Sequence, residues 1–245
     1  LQGDWSSDVC SSDLWYKDFK TYKGCNNATT REDAAKWLVK EGYATDPTYA
    51  DKLIELMSQH TGTKPLVKPK EKILRVAYEY QLGPDDGATG YRQCFSSSCA
   101  MVARYYGKIS GDYEYNKLRA RFGDTTDPKA QIAAFKALGL TATFEMDGTV
   151  EELEDEISNG HPVPVGWLHK NNVSNPGGTG HWSVVVGFTP THFIHNDPFG
   201  EADLVNGGYT SHKGGAGVAY SRKNWLPRWL IEGTDTGWFM KVRPR

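Results

Sequence analysis

Apolar residues recur along this chain at two spacings, and the switch between them divides it. After residue 30 the spacing is helical: Ala34, Ala35, Leu38 and Val39 share one face that Gly42 ends, and Leu53, Ile54 and Met57 form a second stripe. Thr30 with Asp33 and Thr48 with Asp51 supply the capping pairs. From residue 73 the texture changes. Leu74, Val76, Tyr78 and Tyr80 alternate, predicting a strand that ends at Gln81 and a Gly-Pro-Asp-Asp-Gly turn. Helical spacing returns in Cys99, Val102, Ala103 and Tyr106, closed by Gly107, with Ser96 to Ser98 placed to cap it. Asp127-Pro128 opens a helix through Ile132, Phe135 and Leu138, which Gly139 stops. A strand follows over 141–146, then a capping box, Thr149-Val-Glu-Glu152, for a helix running to Gly160. Residues 162–167 and 181–188 read as strands, the second a continuous apolar run expected of a central strand buried on both faces. The tight loop at Pro190 turns the chain back antiparallel through residues 193–197. Helices first and sheet later make an α+β fold.

Residues 4–14, Asp4-Trp-Ser-Ser-Asp-Val-Cys-Ser-Ser-Asp-Leu14, have no period and match a translated sequencing adaptor residue for residue. Residues 1–14 are therefore set aside as an expected artefact, Cys10 with them, and the natural N-terminus is expected to be missing. What remains divides into a helical piece over 15–61, too small to be a domain alone, a Lys- and Pro-containing linker over 62–72, and a main domain over 73–245. A net charge of −2 gives no electrostatic case for a nucleic-acid partner. No apolar run approaches the roughly 20 residues of a membrane span. Oligomeric state is left open.

Without Cys10, the cysteines Cys25, Cys94 and Cys99 are an odd set, which reads as a reactive thiol and not as a disulfide framework. Cys94 and Cys99 lack the spacing of a zinc hairpin, and no cofactor or metal is called for. Cys94 falls at a helix start, where free amides and the positive end of the dipole favour a thiolate. Cys99 lies on the apolar stripe and is expected to be buried; the rival pairing would be Cys99 with Gln93. The hairpin at Pro190 sets His181 opposite a residue between Asp197 and Gly200, close enough for imidazole and carboxylate to meet. His195 shares a strand face with Asp197 and is the competing base, while His60, His161, His169, His192 and His212 read as surface or turn residues. Gln81, Cys94, His181 and Asp197 are together the residue types of a cysteine hydrolase: amide for the oxyanion, nucleophile, proton carrier and orienting carboxylate.

On these motifs, residues from about 73 to 242 resemble the C39-like cysteine peptidases, papain-like in fold. Cys94-Phe-Ser-Ser-Ser-Cys-Ala-Met-Val-Ala-Arg-Tyr-Tyr-Gly107 is similar to that family's nucleophile helix, His181-Trp-Ser-Val-Val-Val-Gly187 to its histidine strand, Asn196-Asp-Pro198 to its Asp-Pro motif, and Gln81 to its oxyanion glutamine. Two departures stand out. Phe95 replaces the usual glycine after the nucleophile, and the stretch from Gln81 to Cys94 is longer than in bacteriocin-processing members. Separately, Gly42-Tyr-Ala-Thr-Asp-Pro-Thr-Tyr-Ala-Asp-Lys-Leu-Ile54, preceded by Phe19-Lys-Thr-Tyr22, resembles the C-terminal end of flagellar-type glucosaminidases, whose catalytic glutamate lies upstream of this stretch. The tail, with Trp225, Trp229 and Trp238, resembles members carried in phage lysins and tail-associated wall hydrolases, its tryptophans either lining a groove or packing on the sheet. The glycine-rich stretch 214–217 is expected to be a mobile loop near the cleft. The resemblance implies a phage-encoded or bacterial endopeptidase acting at the cell wall on peptidoglycan stem peptides or cross-bridges, as part of a bifunctional lysin. The alternatives are a double-glycine leader peptidase and an inactive wall-binding module.

Overall fold

The computed structural model describes residues 24–25, 28, 30–59, 71–83 and 87–245. The adaptor-like stretch 4–14, the Phe19-Lys-Thr-Tyr22 motif, His60 and all of the expected linker but residues 71 and 72 lie outside them. The chain divides into two compact units, Leu1–Lys70 and Glu71–Arg245.

The first unit holds two helices, α1 (Arg31–Lys40) and α2 (Tyr49–Gln59), packed on each other. Thr30 caps α1 by accepting the Asp33 N–H at 3.1 Å, as the spacing predicts. Ahead of α2, Asp46 Oδ1 accepts the Thr48 N–H at 2.9 Å, so the local bond there is an Asx turn and not a Thr48–Asp51 pair. Ala35, Leu38, Ala50 and Cys25 are buried.

The second unit is a mixed helix and antiparallel-sheet fold, consistent with a C39 or papain-like peptidase. Its sheet strands are β1 (Lys72–Ile73), β2 (Leu140–Gly148), β3 (Val163–Trp167), β4 (His181–Phe188), β5 (His192–Asn196), β8 (Val218–Ser221) and β9 (Gly237–Pro244). They lie in the order β2-β9-β3-β4-β5-β8, with β1 also paired to β4. A separate ribbon joins β6 (Glu201–Ala202) and β7 (Tyr209–Ser211). Helices α3 (Cys94–Tyr105), α4 (Asp112–Arg119) and α5 (Pro128–Ala137) precede most of the sheet, α6 (Val150–Ser158) links β2 to β3, and α7 (Arg222–Trp229) links β8 to β9.

The continuous apolar run of β4 has a direct explanation, because both faces of the sheet are covered. Val184 and Val186 pack with Met101, Val102, Phe135 and Met240 on the α3 side, and Val185 packs with Leu153, Trp225, Trp229 and Phe239 on the other. Helix boundaries follow their punctuation: Asp127 caps α5 through the Lys129 N–H at 2.9 Å, and Thr149 with Glu152 forms the expected capping box at α6. Gly107, after α3, takes a φ of 68°, where a side chain would be strained.

Two expectations are corrected. The strand expected over 74–80 pairs only at Lys72 and Ile73; beyond them a single bond from the Leu74 N–H to the Val186 carbonyl continues along β4, although Leu74 is buried as the alternation requires. Ser96 to Ser98 lie inside the first turn of α3, fully buried, and Gln93 occupies the cap position.

Candidate active site

Cys94 is the first residue of α3, and the first intrahelical bond runs from the Ser97 N–H to the Gln93 carbonyl at 2.7 Å. The amides at this end of the helix have no helical acceptor. The turn is fixed from below. Ser96 Oγ meets Thr125 Oγ1 at 2.7 Å and accepts from Arg119 Nε at 3.1 Å and Gln131 Nε2 at 3.0 Å. Ser96 is therefore an anchor and not a cap. Cys94 is half-buried, whereas Cys99 sits in the core with its sulfur 3.9 Å from Met240 Sδ, and burial pushes its thiol well above the ordinary cysteine range. The rival Gln93 turns its side-chain carbonyl toward Arg119 at 3.5 Å.

His181 opens β4 and is 4 % exposed. The register pairs Val184 with Asn196 and Val185 with His195; carried on, it sets Ser183 opposite Asp197, so that His181, two residues before Ser183 on the same face, is the diagonal neighbour of Asp197. His181 Nε2 stands 2.8 Å from Asp197 Oδ1, a bond that leaves Nδ1 uncommitted to the carboxylate. Burial alone would pull the imidazole down; the charge and hydrogen bond of Asp197, with Cys94 adding to them, override it and push His181 up to about 10.

Asp197 is held through both its carboxylate and its backbone. Oδ1 also accepts the Phe199 N–H at 3.0 Å, and Oδ2 accepts the Tyr220 hydroxyl at 2.9 Å. Its backbone N–H donates to the Gly215 carbonyl at 2.7 Å, and its carbonyl accepts from Tyr78 Oη at 3.0 Å. Gly215 is required here, because a Cβ would fall 2.0 Å from the Asp197 carbonyl oxygen. The 214–217 stretch is thus beside the site as expected, but it is hydrogen-bonded to Asp197 and, through the Gly217 N–H, to Asn196, and does not stand apart as a free loop.

Gln81 is buried, and its Nε2 donates to the Gly90 carbonyl at 3.0 Å. That carbonyl also accepts from the Gln93 N–H at 2.9 Å, so the Gln81 amide is tied to the turn that launches α3. A side-chain amide carries two N–H donors, of which this bond uses one.

His195, the competing base, is engaged elsewhere. Trp167 Nε1 donates to Ser183 Oγ at 2.9 Å, and the Ser183 hydroxyl meets His195 Nδ1 at 2.9 Å. Burial pulls His195 down to about 3, which keeps it neutral. This chain of bonds orients Trp167, whose ring stands perpendicular to His181 with centroids 5.4 Å apart.

Several members of the site carry no sequence signal. Tyr209 and Tyr220 flank Asp197 from far along the chain, and His169, expected at the surface, packs edge-on against His181 with centroids 5.7 Å apart. Burial, then the neighbouring His181, pull His169 down to about 4. Phe95 stacks on Trp182 with centroids 3.8 Å apart and planes within 13°, joining the residue after Cys94 to the residue after His181. Among the described residues no group of three or more His, Cys, Asp or Glu is arranged to hold a metal ion. No described helix is long and apolar enough to cross a membrane.

Comparison with known proteins adds the lineage. No curated protein matches the chain. Among solved structures, the chain is similar to a protein described as a putative C39-like peptidase from Bacillus anthracis, at 17 % identity over 72 % of this chain and 98 % of that one, with a TM-score of 0.49. It is similar to the peptidase domain of Streptococcus ComA, a bi-functional ABC transporter involved in quorum sensing, at 19 % identity over 71 % and 98 % of the two chains, with a TM-score of 0.44. A double-glycine-motif protease from an AMS/PCAT transporter, solved with its leader peptide, matches at 18 % identity over 71 % and 95 %, with a TM-score of 0.43. Residues 73–211, more than half of the chain, match the sequence profile of the Peptidase_C39 like family, and the chain belongs to that family.

Proposed function

We propose that the chain is a cysteine endopeptidase with Cys94 as nucleophile, His181 as proton carrier, Asp197 as the group that orients it and Gln81 as an oxyanion donor, and that it cleaves peptide bonds in bacterial peptidoglycan. The observation that carries the catalytic part is the buried His181–Asp197 pair at 2.8 Å, with Cys94 at the start of α3 among the groups that raise the same imidazole.

The thiolate attacks the scissile carbonyl carbon, a C–S bond forms, and the π electrons move to oxygen. Gln81 Nε2 and an amide at the start of α3 hold the resulting oxyanion; one such donor is typically worth about 10²–10³ in rate. As the intermediate collapses, the C–N bond breaks and His181 gives its proton to the leaving amine. Water then loses a proton to His181 while adding to the thioester, and cleavage of the C–S bond releases the acid and restores thiolate and imidazolium. Asp197 holds the ring so that the nitrogen facing Cys94 carries the moving proton.

The substrate assignment rests on sequence company. The glucosaminidase-like motif at residues 42–54 belongs to enzymes of the wall's sugar backbone, which supports the stem peptide or cross-bridge as the peptide cut here, within a phage-type bifunctional lysin. The test is to incubate purified peptidoglycan with the wild type, Cys94→Ala and Cys99→Ala, counting new amino groups against new reducing ends. Amines from the wild type and Cys99→Ala, with a loss of about 10⁴-fold or more in Cys94→Ala, are expected. Amines absent from the wall digest but released from a peptide with paired glycines would assign the chain to leader processing, and none from either would leave a wall-binding role.

A further inference from the structure

Next to His181, at one end of the sheet, lies a cavity of about 700 Å³. Its walls are chiefly apolar: Met146 near the end of β2, Trp167 of β3, Trp182 of β4, Trp238 of β9 and Ile231 after α7. His181 lines it; Cys94 does not. The aromatic walls are braced, since Trp182 is stacked on Phe95, and the Phe144 ring lies 6.0 Å from both Trp182 and Trp238. Gly166 leaves room for the Trp182 indole, which a Cβ there would meet at 2.9 Å.

Of the charged groups that line the cavity, two are already engaged. His181 is paired with Asp197, and the Arg228 guanidinium donates to the carbonyls of Leu168, Lys170, Asn171 and Leu204. Glu232 is the third; it is exposed and its carboxylate has no partner among the described residues. An apolar slot walled by indoles with one unpaired carboxylate suits an alkyl chain that ends in an ammonium group. The position relative to the chemistry gives a direction. The group that protonates the leaving nitrogen must sit beside it, so the chain beyond the scissile bond runs past His181, while the acyl part stays on Cys94.

We propose that this cavity is the leaving-group subsite and that it takes a residue bearing a cationic amine on an apolar stem, such as a diamino acid, with the ammonium directed to Glu232. This rests on the peptidase reading of Cys94 and His181. A carbohydrate is the other ligand that indoles receive, but a sugar ring asks for several polar side chains around its rim. Here His181 and Arg228 are engaged, and besides the indoles the remaining polar side chains are Glu232, Thr179 and Thr236, of which the Thr236 hydroxyl already donates to the Gly233 carbonyl.

The test separates binding from hydrolysis. The Cys94→Ala protein, which retains the cavity, is titrated with N-acetylated Ala-X-Ala amides in which X is lysine, norleucine or glutamate, and with an N-acetylglucosamine tetramer, reading tryptophan fluorescence. The lysine peptide is expected to bind about three- to fivefold more tightly than the norleucine peptide, the upper scale of an exposed ion pair, and the glutamate peptide most weakly. Glu232→Gln in the same background collapses the lysine preference toward one, and Trp238→Ala weakens the lysine and norleucine peptides alike. Equal binding of lysine and norleucine, a preference that survives Glu232→Gln, no measurable lysine-peptide binding, or tighter binding of the sugar overturns the proposal. Should the catalytic reading fail instead, amine release would be missing while the lysine preference persists.

Discussion

Asp197 illustrates how far single residues can be read from sequence. The hairpin spacing brings it diagonally across from His181, since the length of an antiparallel return fixes which residues face each other. Nothing local announces Tyr220, which donates to the same carboxylate 23 positions later, or the Trp167–Ser183–His195 chain, because those contacts exist only once β3, β4, β5 and β8 are side by side. His169 escapes a reading from sequence for the same reason: its ring neighbours, His181 and Tyr209, come from β4 and β7. The buried histidines make a pH prediction with opposite signs. His181 is raised to about 10, so its contribution to stability is full below its ordinary value near 6.5 and is lost as pH rises through about 10. His195 is lowered to about 3 and His169 to about 4; their contribution is full above about 6.5 and is lost as pH falls toward those values, because the unfolded chain takes up the protons. Urea midpoints measured from pH 3 to 10 are expected to fall on both sides of neutrality, each titrating histidine adding up to about 1.4 kcal/mol per pH unit to the slope. His195→Gln is expected to flatten the acid limb, and an unchanged limb would remove His195 as its source.

At the scale of elements, those with local punctuation are legible in the sequence and those held by tertiary contacts are not. α5 and α6 begin where Asp127 and Thr149 direct them, since a cap satisfies amides that the helix itself leaves open. By contrast α7 carries Pro227 within it and two tryptophans and an arginine on its buried side; it is held by the bonds of Arg228 to four carbonyls, none of which is local. The strand expected over 74–80 is not a strand because alternation reports burial and not pairing; this segment reaches Asn196 and Asp197 through the Val76 carbonyl and the Tyr78 hydroxyl without ladder bonds. Phe95, the departure from the family's glycine, connects two elements that must be in register for chemistry, the start of α3 and the start of β4. Replacing it with leucine keeps a buried apolar side chain but removes the stack on Trp182. We expect kcat to fall about ten- to a hundredfold with KM little changed, the scale on which a displacement of about 1 Å between reacting groups acts. Phe95→Tyr is expected to restore most of the rate, and equal KM and kcat effects in Phe95→Leu would argue for a substrate contact in place of positioning. Phe95→Ala is expected to cost about 3–5 kcal/mol in denaturant unfolding, as for other buried aromatics.

At the scale of the whole molecule, the chain consists of two compact units, Leu1–Lys70 and Glu71–Arg245. In the second unit the sheet is covered on both faces by apolar residues of that unit. Each of the two large clusters draws its residues from position 74 onward, and every strand partner named in the sheet lies between Lys72 and Pro244. His181, Asp197, Cys94 and Gln81, with the residues that hold them, come from the same stretch. A chain of residues 71–245 is therefore expected to fold alone, with one cooperative transition whose midpoint matches the main transition of the full chain, and to cleave soluble peptides with the same kcat/KM. Calorimetry and peptide kinetics on the two proteins check this. A midpoint lowered by more than about 4 °C, or a drop in kcat/KM beyond about threefold, would mean that residues before 71 contribute about 1 kcal/mol or more to the fold or the site, and that the two units work as one.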